Sequence, residues 1–203
     1  PGQFDRIAEN LDYILTPELF SKFNIVLSHG NGPQIGNIIR REEISSHELD
    51  PTPIDACVAQ TQGSLGYMIQ NAGRTILKRH GISIEVATVI SQVLVDPQDP
   101  EFSCPTKPIG SFYSFEEAQN LRTSMNWNMM EDAGRGYRRV IASPKPLRII
   151  ELSAIESLVD SGFLVIAVGG GGILLGPARI SPPRSLVKGP LSPPPEPIVL
   201  GAA

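Results

Sequence analysis

Two short glycine-rich stretches are the first residues of this chain with the means to do chemistry. His29-Gly30-Asn31-Gly32-Pro33 follows one apolar run, and Gly169-Gly170-Gly171-Gly172 follows another. Glycine tolerates positive φ and close approach, so successive N–H groups can converge on an anion. A helix starting just after such a loop adds partial positive charge. This is chemistry for a phosphate or a carboxylate. Neither stretch matches the G-x-x-x-x-G-K-S/T phosphate loop or the G-x-G-x-x-G dinucleotide pattern. Gly30 and Gly32 are explained equally well by a tight strand-to-helix turn. Four glycines in a row favour a ligand loop, because turning alone does not require so much conformational freedom at such a cost in folding entropy.

Other candidates are weaker. Lys107 stands between Pro105 and Pro108, which stiffen the backbone around one cation and could aim its ammonium at an anion. A solvated turn lysine is the plainer reading. Arg135, Arg138 and Arg139 could clamp a phosphate, but a charged hairpin face is the plainer reading. His29 has no Ser, Cys or acid at triad spacing. No cysteine–histidine cluster has metal-ligand spacing, so no metal site is expected. Cys57 reads as core, and Gln60 and Gln62 as helix-face polar residues.

The elements that must hold these residues follow from periodicity. Phe4, Ile7, Leu11 and Ile14 predict an amphipathic helix, ended or kinked at Thr16-Pro17. Residues 24–28 (NIVLS) predict a strand entering the first glycine loop, with a short helix over 34–41. Ile54, Val58, Leu65, Ile69, Ile76 and Leu77 mark a long helix stopped at His80-Gly81. Residues 82–95 are rich in β-branched residues and read as strand material. The stretch 96–146 breaks this rhythm with clustered prolines. Inside it, Ser114 and Glu117 form a capping box for a helix to about residue 123, and 127–131 with 137–141 predict a hairpin. A second capping box, Ser153 with Glu156, predicts a helix stopped by Gly162. The unbroken apolarity of 163–168 predicts a buried parallel strand leading into the four glycines. Strand–glycine loop–helix units of this kind predict an α/β fold.

Composition sets the outer bounds. The 203 residues suit one domain or one and a half, with 41% hydrophobic and 19% charged residues. A net charge of −4 argues against a nucleic-acid partner held by phosphate neutralisation. The apolar run at 163–168 is too short to cross a bilayer, and no signal peptide is visible. Two cysteines make no disulfide framework, so a reducing, cytoplasmic setting is the default. The charge is uneven. Residues 1–173 hold 14 basic and 20 acidic groups, whereas 174–203 hold three basic groups, one acid and 8 of the 19 prolines. The break near Ile173 and the start at Pro1 without a methionine lead to the expectation of a fragment. Prolines at 182–183 and 193–195 predict extended, polyproline-like backbone.

Taken together, the motifs resemble the carbamate kinases of the amino-acid kinase superfamily. The matching stretches are SHGNGPQ at 28–34, AQTQGSLGY at 59–67, VDPQDPEFSCPTKPIG at 95–110, EDAGRGYRRVIASPKP at 131–146 and VIAVGGGGI at 165–173. The likeness covers about residues 1–173 in the family's order, and the PTKPIG, EDAGRGYRRV and SPKP motifs carry most of its specificity. It implies reversible phosphoryl transfer between ATP and carbamate, giving ADP and carbamoyl phosphate, in arginine catabolism. It implies a three-layer α/β/α sandwich with an open, mainly parallel sheet, a protruding subdomain at about 96–146, and commonly a homodimer. By the same resemblance Gly30, Asn31 and Gly32 line the carbamate or carbamoyl phosphate pocket, Lys107 reaches over the site, and Gly169, Gly170, Gly171 and Gly172 present N–H groups to the phosphoryl. ATP or ADP with Mg²⁺ is implied as well. The family's opening Gly-Gly-Asn strand and its long second half, which holds most of the nucleotide pocket, have no counterpart in this sequence. The expected division is therefore a partial kinase domain over 1–173 and a Pro-rich, non-globular tail over 174–203, arising from an altered frame or truncated product joined near Ile173, with a genuine functional linker as the alternative. An inactive, anion-binding or dimerising remnant is the alternative function.

Overall fold

A computed structural model describes residues 2–175 and 198–202. The chain begins with α1 (Gln3–Ile14) and α2 (Pro17–Lys22). Thr16 does more than end α1: its hydroxyl accepts from Leu19 N and caps α2, with Pro17 at the first helical position, where a missing N–H costs nothing. Next come β1 (Ile25–His29), α3 (Gly32–Ser45) and α4 (Ile54–Arg79). Lys78 and Arg79 complement the carboxyl end of α4, and Gly81 takes φ +70° just beyond it. Asp12 ties that end to α1, bonding Arg79 at 2.9 Å and His80 at 3.0 Å.

The strand material then divides into β2 (Val86–Thr88) and β3 (Gln92–Val95). The proline-rich stretch yields β4 (Lys107–Tyr113), α5 (Phe115–Met125), β5 (Met129–Glu131) and β6 (Tyr137–Ile141). Both bonds of the Ser114–Glu117 capping box are present. After β7 (Pro146–Ile149) come α6 (Leu152–Asp160), β8 (Leu164–Ile166), β9 (Ile173–Leu175) and β10 (Ile198–Ala202). The Ser153–Glu156 capping box does not form. Glu151 caps α6 without a side-chain bond, and its carboxylate accepts from Gln92 N at 2.6 Å instead.

Three sheets result. The central one is parallel throughout in the order β10-β1-β8-β2. Alternation along its strands divides two cores. Ile25 and Leu27 of β1, with Leu164 and Ile166 of β8, face Leu11 and Leu15 and the Ile69, Ala72, Ile76 and Leu77 stripe of α4. Val26 and Val165 face Ile155 and Val159 of α6 on the other side. The expected helix–sheet–helix layering is thus present, with β1 and β8 buried on both faces as a parallel sheet requires. A second sheet has the order β7-β3-β9, and the third is antiparallel, β4-β6-β5. Ile109 of β4 joins the main body through a small core with Ile35, Ile39 and Cys57. Prolines 182–183 and 193–195 lie outside the described residues. Among the described residues no helix is long and apolar enough to cross a membrane.

Candidate functional site

Adjacent parallel strands β1 and β8 bring the two glycine loops together at their carboxyl ends, where open α/β sheets bind ligands. After β1 the chain passes through Gly30 and Asn31 into α3, whose first helical bond is Ile35 N to Asn31 O at 2.9 Å. The N–H groups of Gly32 and Gln34 precede that bond at the positive end of a 14-residue helix. Gly30 and Gly32 do not take positive φ, and a Cβ on either would meet no atom within 4 Å. The turn therefore does not require glycine at either position, and the space beside each is open.

The second loop is the opposite case. Val168 is left-handed at φ +56°, and Gly170, Gly171 and Gly172 follow at +65°, +84° and +86°. A Cβ on Gly169 would run into the His29 ring, one on Gly170 into the Asn31 carboxamide, and one on Gly172 into Val93. A left-handed conformation costs a non-glycine residue about 1–2 kcal/mol, and it is least natural for a β-branched one such as Val168. The unbroken strand expected over 163–168 accordingly ends at Ile166. Gly171 N donates to Val168 O at 3.1 Å and Gly172 N to Gly169 O at 3.2 Å. The N–H groups of Gly169 and Gly170 make no hydrogen bond among the described residues.

Side chains from β1, α4 and the connection between β2 and β3 grip this loop. Ser28 Oγ donates to Val168 O at 3.2 Å, and Ser91 Oγ accepts from Val168 N at 3.1 Å. Gln62 Nε2 donates to Gly169 O at 3.0 Å and to Ser91 O at 3.1 Å, while Gln62 Oε1 accepts from Ser91 N at 2.7 Å. Asn31 Nδ2 donates to Thr61 Oγ1 at 2.9 Å, and that hydroxyl donates to Val58 O at 2.7 Å. Thr61, Gln62 and Ser91 are fully buried, and each is hydrogen-bonded as burial demands.

Lys107 is the first residue of β4, paired across from Ile141, and its side chain is exposed. It shares a cavity of about 190 Å³ with Gly170, Gly171 and Gly172, whose wall also includes Val93 and Pro144. Gly30 and Gly32 do not line that cavity. They connect to it through Asn31, which lies against Gly170.

Gln60 is exposed as expected, but Gln62 is not a surface polar residue. It lies three and four positions from Leu65 and Val58 on the apolar stripe of α4, and a polar residue on such a stripe is the signal that would have found it. Ser28 and Ser91 carry no comparable sequence signal. The charged hairpin face is real for Arg135, which is exposed and pairs with Asp132 at 3.4 Å. Arg138 bonds Asp132 at 3.1 Å and Gly110 O at 3.1 Å. Arg139 turns inward instead. Its guanidinium lies 4.4 Å from the Trp127 ring centre and lines a second cavity of about 240 Å³ with Cys57, Glu42 and Glu43. Burial there lowers the Arg139 pKa and raises that of the Cys57 thiol. Cys57 is a core residue, as expected.

No family model matches the chain. The carbamate kinase-like protein YahI of Escherichia coli (strain K12) is 52% identical over 158 residues, covering 76% of this chain and 50% of that protein. A carbamate kinase of Lentilactobacillus hilgardii is 50% identical over 151 residues, covering 73% and 48%. Among solved structures, the carbamate kinase from Giardia lamblia bound to AMP-PNP superposes with a TM-score of 0.72 at 36% identity, covering 84% of this chain and 53% of that one. The chain spans about half the length of the curated relatives it matches.

Proposed function

The chain is homologous to the carbamate kinases over about half of their length, and from that premise we propose that it carries the carbamoyl phosphate side of a carbamate kinase site. The reaction is the reversible transfer of a phosphoryl group between carbamoyl phosphate and ADP, giving carbamate and ATP. The reading brings with it a cytoplasmic, homodimeric enzyme of arginine catabolism. In the same reading residues 1–173 are a partial kinase domain with a protruding subdomain at about 96–146, and 174–203 are a Pro-rich extension whose residues 198–202 lie beside β1.

The observation that carries the proposal is the shared cavity, which Lys107 lines together with Gly170, Gly171 and Gly172. Phosphoryl transfer spreads charge over three equatorial oxygens and asks a protein for placement and neutralisation more than for covalent help. Each group has a part in that. The Gly169 and Gly170 N–H groups donate to phosphoryl oxygens. Lys107 supplies the mobile positive charge. Gly30 and Gly32 leave the backbone bare for the carbamate end, and Asn31 fixes the distance between the two loops. Donors fixed in advance are worth more than donors that must reorganise during the reaction. The nucleotide is a substrate here and would enter as its Mg²⁺ complex. Magnesium commonly rides on the phosphates with one or two carboxylates, and among the described residues no cluster of three or more acids, histidines or cysteines stands ready to hold it independently.

Titration calorimetry with carbamoyl phosphate, followed by an assay for ATP from ADP and Mg²⁺, tests the proposal. Saturable binding that weakens tenfold or more in Lys107→Ala, with an unchanged melting temperature, is the expected result. A folded wild-type chain that binds no carbamoyl phosphate would overturn the site. Binding without ATP formation would sink the kinase reaction and leave the anion-binding module.

A further inference from the structure

We propose that Ser91, Gln62 and Ser28 are positioning residues that hold the glycine loop open as an anion cradle. The inference rests on the anion-site reading above and assigns roles that reading does not contain. Four successive glycines cannot hold a conformation by themselves, and the residue before them is held against its own preference at φ +56°.

Ser91 brackets the loop at both stems. Its hydroxyl accepts from Val168 N at 3.1 Å, and its carbonyl accepts from Ile173 N at 2.9 Å. Ser91 is in turn fixed by the Gln62 carboxamide through both its N–H and its carbonyl, at 2.7 and 3.1 Å. Its hydroxyl donates to Val89 O at 3.0 Å, which leaves its oxygen lone pairs for Val168. No polar group of Ser91 or of the Gln62 carboxamide oxygen is left to chance.

Peptide geometry converts this grip into direction. In a trans peptide the C=O and the N–H point opposite ways. Ser28 holds the carbonyl of Val168, so the Gly169 N–H in the same peptide plane points away from Ser28. Gln62 holds the carbonyl of Gly169, so the Gly170 N–H points away from α4. These are the two loop N–H groups without a partner among the described residues. Ser28 and Gln62 thus bind carbonyls and leave the Gly169 and Gly170 donors, which suits an anionic occupant and would not suit a cation.

The test uses the full chain labelled with ¹⁵N and titrated with inorganic phosphate. In wild type, the Gly169 and Gly170 amides should shift saturably, and the Val168 HN–Hα coupling should report its left-handed φ. Ser91→Ala and Ser28→Ala each remove one oxygen, and Gln62→Met removes the carboxamide. Each should weaken the phosphate-dependent shifts tenfold or more while the remaining spectrum stays dispersed, and Ser91→Thr, which keeps the hydroxyl, should retain them. Glycine has no preference against positive φ, so Val168→Gly should reduce the penalty of Ser91→Ala; a merely structural role would show no such rescue. Should Gln62→Met fail to fold, the two serine variants and the Val168→Gly background still decide. Wild-type binding that survives in both serine variants would overturn the positioning role alone. Absence of any shift at Gly169 and Gly170 in wild type would overturn the anion site beneath it.

Discussion

The Asn31 carboxamide touches both glycine loops: it follows Gly30 in one, lies against Gly170 of the other, and donates to Thr61 at 2.9 Å. Only one of its two amide protons is used there, which leaves the second for a ligand. Asn31→Ala removes one neutral hydrogen bond, worth about 1 kcal/mol. For a chain of this size that is a fall of roughly 2–4 °C in melting temperature. A bond to a charged ligand is worth ~1.5–3 kcal/mol, so carbamoyl phosphate binding should weaken roughly ten- to hundredfold. Calorimetry beside thermal melting checks this, and losses of similar size in both would return Asn31 to a purely structural role. At this scale the chemistry was legible where residue type alone narrows the options. Consecutive glycines, and a lysine between prolines, stand out in any sequence. Ser28 and Ser91 did not, because a serine gives no local sign that a loop distant in sequence will fold onto it. Gln62 was legible in principle, since it interrupts an apolar stripe.

Elements were read best where one face has a strong period. The spacing of Leu65, Ile69 and Ile76 gave α4, and those residues are buried against the sheet. The capping motif was less dependable, forming at Ser114 and failing near Ser153, where Glu151 is drawn to Gln92 across a neighbouring strand. Tertiary contacts decide between two local sequences that look alike. The packing of α4 on β2 supplies a sharper case at Gly66. In an exposed helix interior, glycine to alanine gains about 1 kcal/mol. Here a Cβ on Gly66 would run into the Thr88 methyl, whose side chain is held by its hydroxyl donating to Gln70 at 2.9 Å. Overpacking of this kind costs ~1–3 kcal/mol and should outweigh the propensity gain. Gly66→Ala is therefore expected to destabilise in urea melts. Adding Thr88→Ser, which keeps the hydroxyl and removes the methyl, should return most of the loss. A Gly66→Ala chain more stable than wild type would mean that α4 slides freely on the sheet.

Across the whole molecule, one parallel sheet depends on strands from both ends of the chain. Residues 198–202 lie beside β1 in the register Ile25 to Ile198 through His29 to Ala202, so β1 is flanked by β8 on one side and by the last strand on the other. The break in composition near Ile173 was visible in the sequence, but this pairing was not. A parallel partner is specified by a distant segment, and hydrophobic runs of equal length look alike until they pair. Energetically the placement matters because Ile25, Val26 and Leu27, the apolar first part of β1, are buried. Without its outer neighbour, β1 would become an edge with unpaired backbone groups and no charge or proline to discourage association. A chain ending at Leu175 is therefore expected to melt at a lower temperature and to self-associate with rising concentration, read by thermal melting and sedimentation velocity. The glycine loops lie at the carboxyl ends of β1 and β8, so the same truncation should also weaken carbamoyl phosphate binding. A truncated chain that stays monodisperse, melts with the parent and binds as tightly would show that the last strand contributes nothing to the sheet or the site.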